Sequence, residues 1–196
     1  MATRETFFRR ACAWLLLAPA LLWAWTPAMA AAMSPAAEGS SMKFVATQMD
    51  VELEGAFKAF SADVDFDPAK LDRSKVEIVV DLASVDTGSA DGDTLLKGKD
   101  FFDVAHYPQA RFSAKQVKAL APGKYLANGE FTLKGHSATL AVPFSVRTDG
   151  EGTWVDGSVP VSRLAFGVGQ GEWADTGTLS DEVRVNFRLR LPRRRP

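Results

Sequence analysis

The chain has 196 residues, of which 46% are hydrophobic and 24% charged, the balance of an ordinary soluble domain rather than of a disordered or collagen-like chain. Setting aside Arg4, Glu5, Arg9 and Arg10 takes its 23 basic and 24 acidic residues to 20 and 23, a net charge of −3. A nucleic-acid-binding domain carries a basic excess, so that class is excluded at the outset.

Residues 1–10 hold three arginines and one glutamate, residues 11–25 form an apolar run broken by Pro19, and Ala28 and Ala30 follow at the A-x-A spacing. Charged, apolar and small-residue regions in this order predict a secretory signal peptide over residues 1–30. The run is too short for a comfortable membrane span of about 20 residues. Cys12, the single cysteine, stands at the very start of the run, whereas a lipid-modified cysteine would follow it. Cleavage would therefore leave a chain with no disulfide, thiolate metal site or cysteine nucleophile. Residues 31–40, AAMSPAAEGS, show no periodicity and read as a flexible leader to a domain over 41–192.

From Met42 the dominant signal is period two. Val76, Ile78, Val80 and Leu82 form one apolar set, and Leu140, Val142, Phe144 and Val146 another. Val183, Val185, Phe187, Leu189 and Leu191 alternate with Arg184, Asn186, Arg188 and Arg190, a strand with one wet face. Eight strands are predicted, over 42–49, 50–66, 75–85, 110–119, 124–133, 138–148, 153–163 and 182–191. Asp67-Pro68, Pro122-Gly123, Lys134-Gly135, Asp149-Gly150 and Asp156-Gly157 supply turns between them. Asn128-Gly129 is a competing hairpin signal, but the Tyr125–Leu133 parity runs across it, which favours a bulge or kink. Pro143 and Pro160 fall inside strand runs and mark edges, bulges or breaks.

Alternation fails over residues 86–108. A short helix is predicted from near Asp91 and a further turn near Asp100. Many short strands, one helical excursion and no βαβ rhythm give an all-β class, an eight-stranded antiparallel barrel or sandwich. A closed barrel of that size holds one small ligand or fills with side chains.

Chemistry-bearing residues are sparse. His106 and His136 lack any metal-ligand or H-E-x-x-H spacing, so no metal and no catalytic residue is assigned. Asp63, Asp65 and Asp67 share one strand face, as a solvated face does, and lack the glycine and distal glutamate of a calcium loop. Gly167-x-Gly169-x-Gly171 has its third glycine at the wrong offset for a dinucleotide loop and reads as a flexible connection.

An ordered set of short words, from Gly55 to Pro143, is spread within residues 42–191. They are Gly55-x-Phe57-x-x-Phe60, Phe66-Asp67-Pro68, Val85-Asp86-Thr87-Gly88, Asp93-x-x-Leu96, Asp100-Phe101-Phe102-Asp103-Val104, Tyr107-Pro108-x-Ala110-x-Phe112, Gly129-x-Phe131-Thr132-Leu133-x-Gly135 and Val142-Pro143. In these the chain resembles the YceI-like family, lipocalin-like polyisoprenoid-binding proteins of the bacterial envelope. The resemblance implies a lipocalin-like barrel around an apolar tunnel, a periplasmic location, and an isoprenoid or similar lipid as ligand, for example a quinone or its precursor. It departs at Gly92, where the family usually has arginine before the aspartate matched to Asp93. The candidate lining is Phe66, Val80, Leu96, Phe101, Phe102, Phe112, Phe131, Leu133, Phe144, Phe166 and Trp173. The function expected is non-catalytic binding of that lipid, with no cofactor beyond it. An enzyme acting on a lipid-like substrate and an accessory subunit of a membrane redox complex are the alternatives. Arginines 188, 190, 193, 194 and 195 form either a solvated strand face and tail or a transient contact with anionic headgroups.

Overall fold

The computed structural model describes residues 36–150 and 152–191. The signal peptide expected over 1–30, residues 31–35 of the leader, and Arg193, Arg194 and Arg195 lie outside the described residues. Residues 36–40 of the leader are tied to the sheet: the Ala36 N–H donates to the Phe60 carbonyl at 3.0 Å. Ser40 Oγ accepts from the Arg190 N–H at 3.0 Å.

The chain folds as an antiparallel sheet of ten strands, not eight. They are β1 Ser41–Gln48, β2 Val51–Phe57, β3 Phe60–Asp65, β4 Lys75–Asp81, β5 Val85–Asp86, β6 Gln109–Ala121, β7 Lys124–Leu133, β8 His136–Asp149, β9 Gly152–Ser162 and β10 Glu182–Leu191. The order across the sheet is β3-β4-β6-β7-β8-β9-β10-β1-β2-β5. Two strands are added because the run expected over 50–66 breaks at Lys58-Ala59, and the end of the run expected over 75–85 becomes a 3-10 turn, Leu82–Ser84, followed by the two-residue β5.

That break curls the sheet round on itself. β2 pairs with β1 along its length and with β5 at Ala56 and Phe57. Two residues later β3 pairs with β4. The two ends of the ladder are thus one covalent strand that changes neighbours. Ser84 fixes the changeover: its Oγ accepts the Ala59 N–H at 3.0 Å and donates to the Asp81 carbonyl at 2.6 Å.

Tight turns set the register. Lys134 and Gly135 both have positive φ, 49° and 76°, as a two-residue hairpin with the twist of its strands requires. Met49 and Asp50 do the same between β1 and β2 without a glycine, at 47° and 64°. Asn128-Gly129 lies inside β7, and the opposite strand β6 shifts register between Ala114 and Gln116.

Asp156-Gly157 is not a turn; it lies inside β9. A Cβ on Gly157 would stand 2.2 Å from Phe187 Cζ and 2.7 Å from the Pro143 carbonyl oxygen. The glycine makes room for the cross-strand Phe187 ring. Gly157→Ala is expected to cost about 1–3 kcal/mol through overpacking, read as a lowered denaturant midpoint.

The β8–β9 ladder runs from Phe144↔Gly157 to Asp149↔Gly152 and stops. Residues 136–143 of β8 and 158–162 of β9 lie beyond it, with Pro143 on one lip and Pro160 on the other. Neither proline then interrupts a β8–β9 bond, which is how strands tolerate proline.

The excursion holds one α-helix, α1 Ala90–Lys97, with Ser89 as N-cap accepting the Gly92 N–H. Asp93 Oδ1 accepts from the Thr87 N–H at 2.7 Å and Thr87 Oγ1–H at 2.8 Å, which fixes the entry turn. At Gly92, a Cβ would lie 2.6 Å from Thr87 Oγ1, so this turn is built around the missing side chain.

Candidate functional site

Period two sends one face of each long strand inward: Met42 and Phe44 on β1, Ile78 and Val80 on β4, Phe112 on β6, Phe131 and Leu133 on β7, Leu140 and Val142 on β8, Val159 and Val161 on β9, Val185 and Phe187 on β10. These side chains do not meet in the middle. They enclose a cavity of about 570 Å³ whose wall is almost entirely apolar, in the size range of sites that bury a small molecule.

One end is closed by aromatics. Phe66 stands edge to face on Tyr125 at 4.8 Å and on Phe144 at 5.8 Å, and Tyr125 stacks on Phe144 at 5.5 Å. The other end is open between the β1–β2 hairpin and α1. There Leu53 and Leu95 line the cavity yet are 44% and 41% exposed. Gln48, Glu52, Glu54, Thr87 and Ser89 complete that rim.

Val80, Leu96, Phe101, Phe102, Phe112, Phe131, Leu133, Phe144 and Trp173, all expected on the wall, do line the cavity. Phe66 and Phe166 do not. Both are buried, but Phe66 packs in the aromatic floor, and Phe166 stands behind the wall, edge to face on Phe131 at 5.0 Å. Met42, Phe44, Phe57 and Phe187 are wall residues that sequence reading missed. Their parity was visible in the sequence; what hid them is that an inward ring facing a cavity has the same spacing as one facing a core.

The polar parts of the roof are held by two cations. Arg163 is 3% exposed. Its Nε donates to the Ser180 carbonyl at 2.9 Å, one terminal nitrogen to the carbonyls of Val168 and Gly169 at 3.0 and 3.1 Å, and the other to Leu179 at 2.6 Å. Burial pulls its pKa below the ordinary value, and the Asp181 carboxylate opposes that. Lys134 Nζ donates to the carbonyls of Lys99 and Gly167 at 2.8 and 2.7 Å. Burial likewise lowers its pKa, against the pull of Asp103 and Asp100. The Asp100 carbonyl also accepts the Gly169 and Gln170 N–H groups at 2.7 and 2.9 Å. The run Gly167, Gly169 and Gly171 is therefore not a loose connection. All three have positive φ, 66°, 76° and 65°, and a Cβ on Gly169 would stand 2.2 Å from the Arg163 guanidinium.

Glu52, Glu54 and Arg111 border the cavity, whereas His106 and His136 do not. His106 is exposed and bonds Asp103 through Nδ1 at 2.9 Å. Among the described residues, no group of three or more His, Cys, Asp or Glu could hold a metal. Arg188 bonds Asp156 at 2.6 Å, and Arg190 lies over the Trp154 ring at 5.4 Å. No helix is long and apolar enough to cross a membrane among the described residues.

Residues 34–191 match the sequence profile of the YceI-like domain. The chain belongs to the YceI-like family. The crystal structure of Burkholderia cenocepacia BcnA is 41% identical, with a TM-score of 0.76 over 78% of this chain and 96% of that one. A UPF0312 protein of Photorhabdus laumondii is 32% identical over 102 residues, 52% of this chain and 53% of that protein. The match thus spans about half the length of that curated relative. A polyisoprenoid binding domain from Saccharophagus degradans shares 15% identity with a TM-score of 0.62, covering 78% of this chain and 94% of that one, and so shares the fold.

Proposed function

We propose that this YceI-like protein binds the apolar chain of a polyisoprenoid or similar amphipathic lipid, without converting it, in the periplasm after removal of residues 1–30. One observation carries the reading: an apolar cavity of about 570 Å³ with a floor and an open mouth. A floor and one mouth suit a molecule with a long apolar tail and a different head. Each buried CH2 contributes about 0.8 kcal/mol, so ten carbons supply about 8 kcal/mol before the cost of ordering the chain. The description of the Saccharophagus degradans neighbour as a polyisoprenoid binding domain supports the ligand class. The buried cation on the cavity wall, Arg163, is fully engaged with main-chain carbonyls of the roof, and the remaining polar side chains lie at the rim, which supports binding rather than catalysis.

Mass spectrometry of an organic extract of protein purified from its native envelope tests this. A lipid present in near-equal amount to protein is expected. An empty extract, together with no uptake of a fluorescent polyprenyl analogue, would remove the reading. Binding of that analogue is expected to survive a chelator unchanged, since apolar burial needs no ion; loss on chelation would put a metal in the site. Exchange with anionic vesicles tests whether arginines 188, 190, 193, 194 and 195 touch headgroups: contact makes the exchange weaken with salt.

A further inference from the structure

β2 has a free side. β1 bonds it from Val51 to Phe57, but β5 reaches it at Ala56 and Phe57 alone, so Val51–Gly55 has no strand on its other flank. No hydrogen bond from another described element covers that stretch. It is also unburied: Val51, Glu52, Leu53 and Glu54 are exposed in succession, and Met49 in the adjoining turn is 67% exposed. A strand edge with unpaired N–H and C=O groups is a template for another strand, and most proteins blunt it or use it.

The side chains say what fits. Leu53 lines the cavity and pairs with Ala46 of β1, and Val51, opposite Gln48, shares its parity. Glu52 and Glu54 lie on the outer side, beside Thr47 and Val45. No ion pair holds Asp50, Glu52 or Glu54 among the described residues. A second copy added edge to edge, antiparallel, would set these carboxylates against their own counterparts, and like charges on paired strands destabilise. An anionic membrane surface is disfavoured for the same reason.

We propose that the Val51–Gly55 edge docks a partner protein by strand addition, and that the segment it takes is extended, with lysine or arginine on its outer face and apolar residues on the other. Backbone bonds supply the affinity and the alternating side chains the selectivity. Because Glu52, Leu53 and Glu54 also form the rim, the partner would stand at the cavity mouth. The inference rests on the strand edge and holds whatever the cavity contains.

The test uses the mature protein and three synthetic hexapeptides: alternating Lys-Val, alternating Glu-Val, and Lys-Val with alternate backbone nitrogens methylated. Amide hydrogen exchange is followed residue by residue. The Lys-Val peptide is expected to slow alternate amides between Val51 and Gly55 by about tenfold or more, and the other two peptides to leave them unchanged. In the doubly substituted variant Glu52→Lys, Glu54→Lys the preference is expected to pass to the Glu-Val peptide. Protection confined to another part of the sheet, no protection at all, or equal protection by the methylated peptide would overturn the proposal. Self-association of the wild-type chain through this edge would overturn it as well.

Discussion

Replacing Arg163 by methionine is expected to lower stability by about 3–5 kcal/mol, the range for removing one partner of a buried charged network. Methionine keeps much of the volume and removes every donor. The carbonyls of Val168, Gly169, Leu179 and Ser180 then lose the group they bond. A buried acceptor left without a donor carries its full desolvation cost. The guanidinium also ties the two ends of the segment after β9 to each other, so its loss loosens the roof over the cavity. Arg163→Lys keeps the charge but offers three donors for these carbonyls, and it is expected to fall between wild type and methionine. Denaturant midpoints of the lipid-free variants measure both, and equal midpoints for wild type and Arg163→Met would show that the roof does not depend on this side chain.

Phe101→Ala is the second large effect, expected at about 3–5 kcal/mol. Phe101 is 3% exposed and its ring lies 5.5 Å from that of Trp173. It joins the turn after α1 to the 3-10 turn Gly171–Ala174, and truncation leaves a void between them. Phe102 and Phe112 are half-buried on the cavity wall. Phe101 borders the cavity too, but it is more deeply buried than these two, so truncating either is expected to cost less stability than Phe101→Ala and to lower affinity for a polyprenyl analogue. Parallel melts and fluorescence titrations separate the two classes. A Phe102→Ala midpoint as low as that of Phe101→Ala would mean that the wall is packed core.

Period two made most of the sheet legible, because inward and outward side chains alternate wherever one face is wet. The bounds expected for 124–133 and 182–191 are those of β7 and β10. The division of β2 from β3 was also written in the chain: Phe57 and Phe60 are three apart, and a spacing of three moves the inward set from odd to even positions. β5 has two residues, too few for any period. Glycine misled in two places, since it serves a turn, a left-handed backbone or the space for a neighbouring ring, and spacing does not tell these apart. Gly157 proved to be the third kind and Gly169 the second. Arg163 was invisible for a different reason. Its partners are main-chain carbonyls, which every residue carries, so no side-chain pattern announces them. Phe66 continues the parity of the wall and Phe166 lies in the 3-10 turn Leu164–Phe166, outside any strand period, and whether either ring meets a void or another ring depends on how the chain curls.

The uneven pairing around the sheet gives the cavity a direction of give. At the changeover from β2 to β3 the girdle is held by peptide bonds, which do not come apart under thermal motion. Across the wall, β8 and β9 share ladder bonds for six residue pairs and then part. A tail too bulky for the resting volume would press on the lips at Pro143 and Pro160, where no ladder bond joins the two strands. The protein resembles a sleeve with a stitched side and a vented one, and the girth of tail it tolerates is set by the vent.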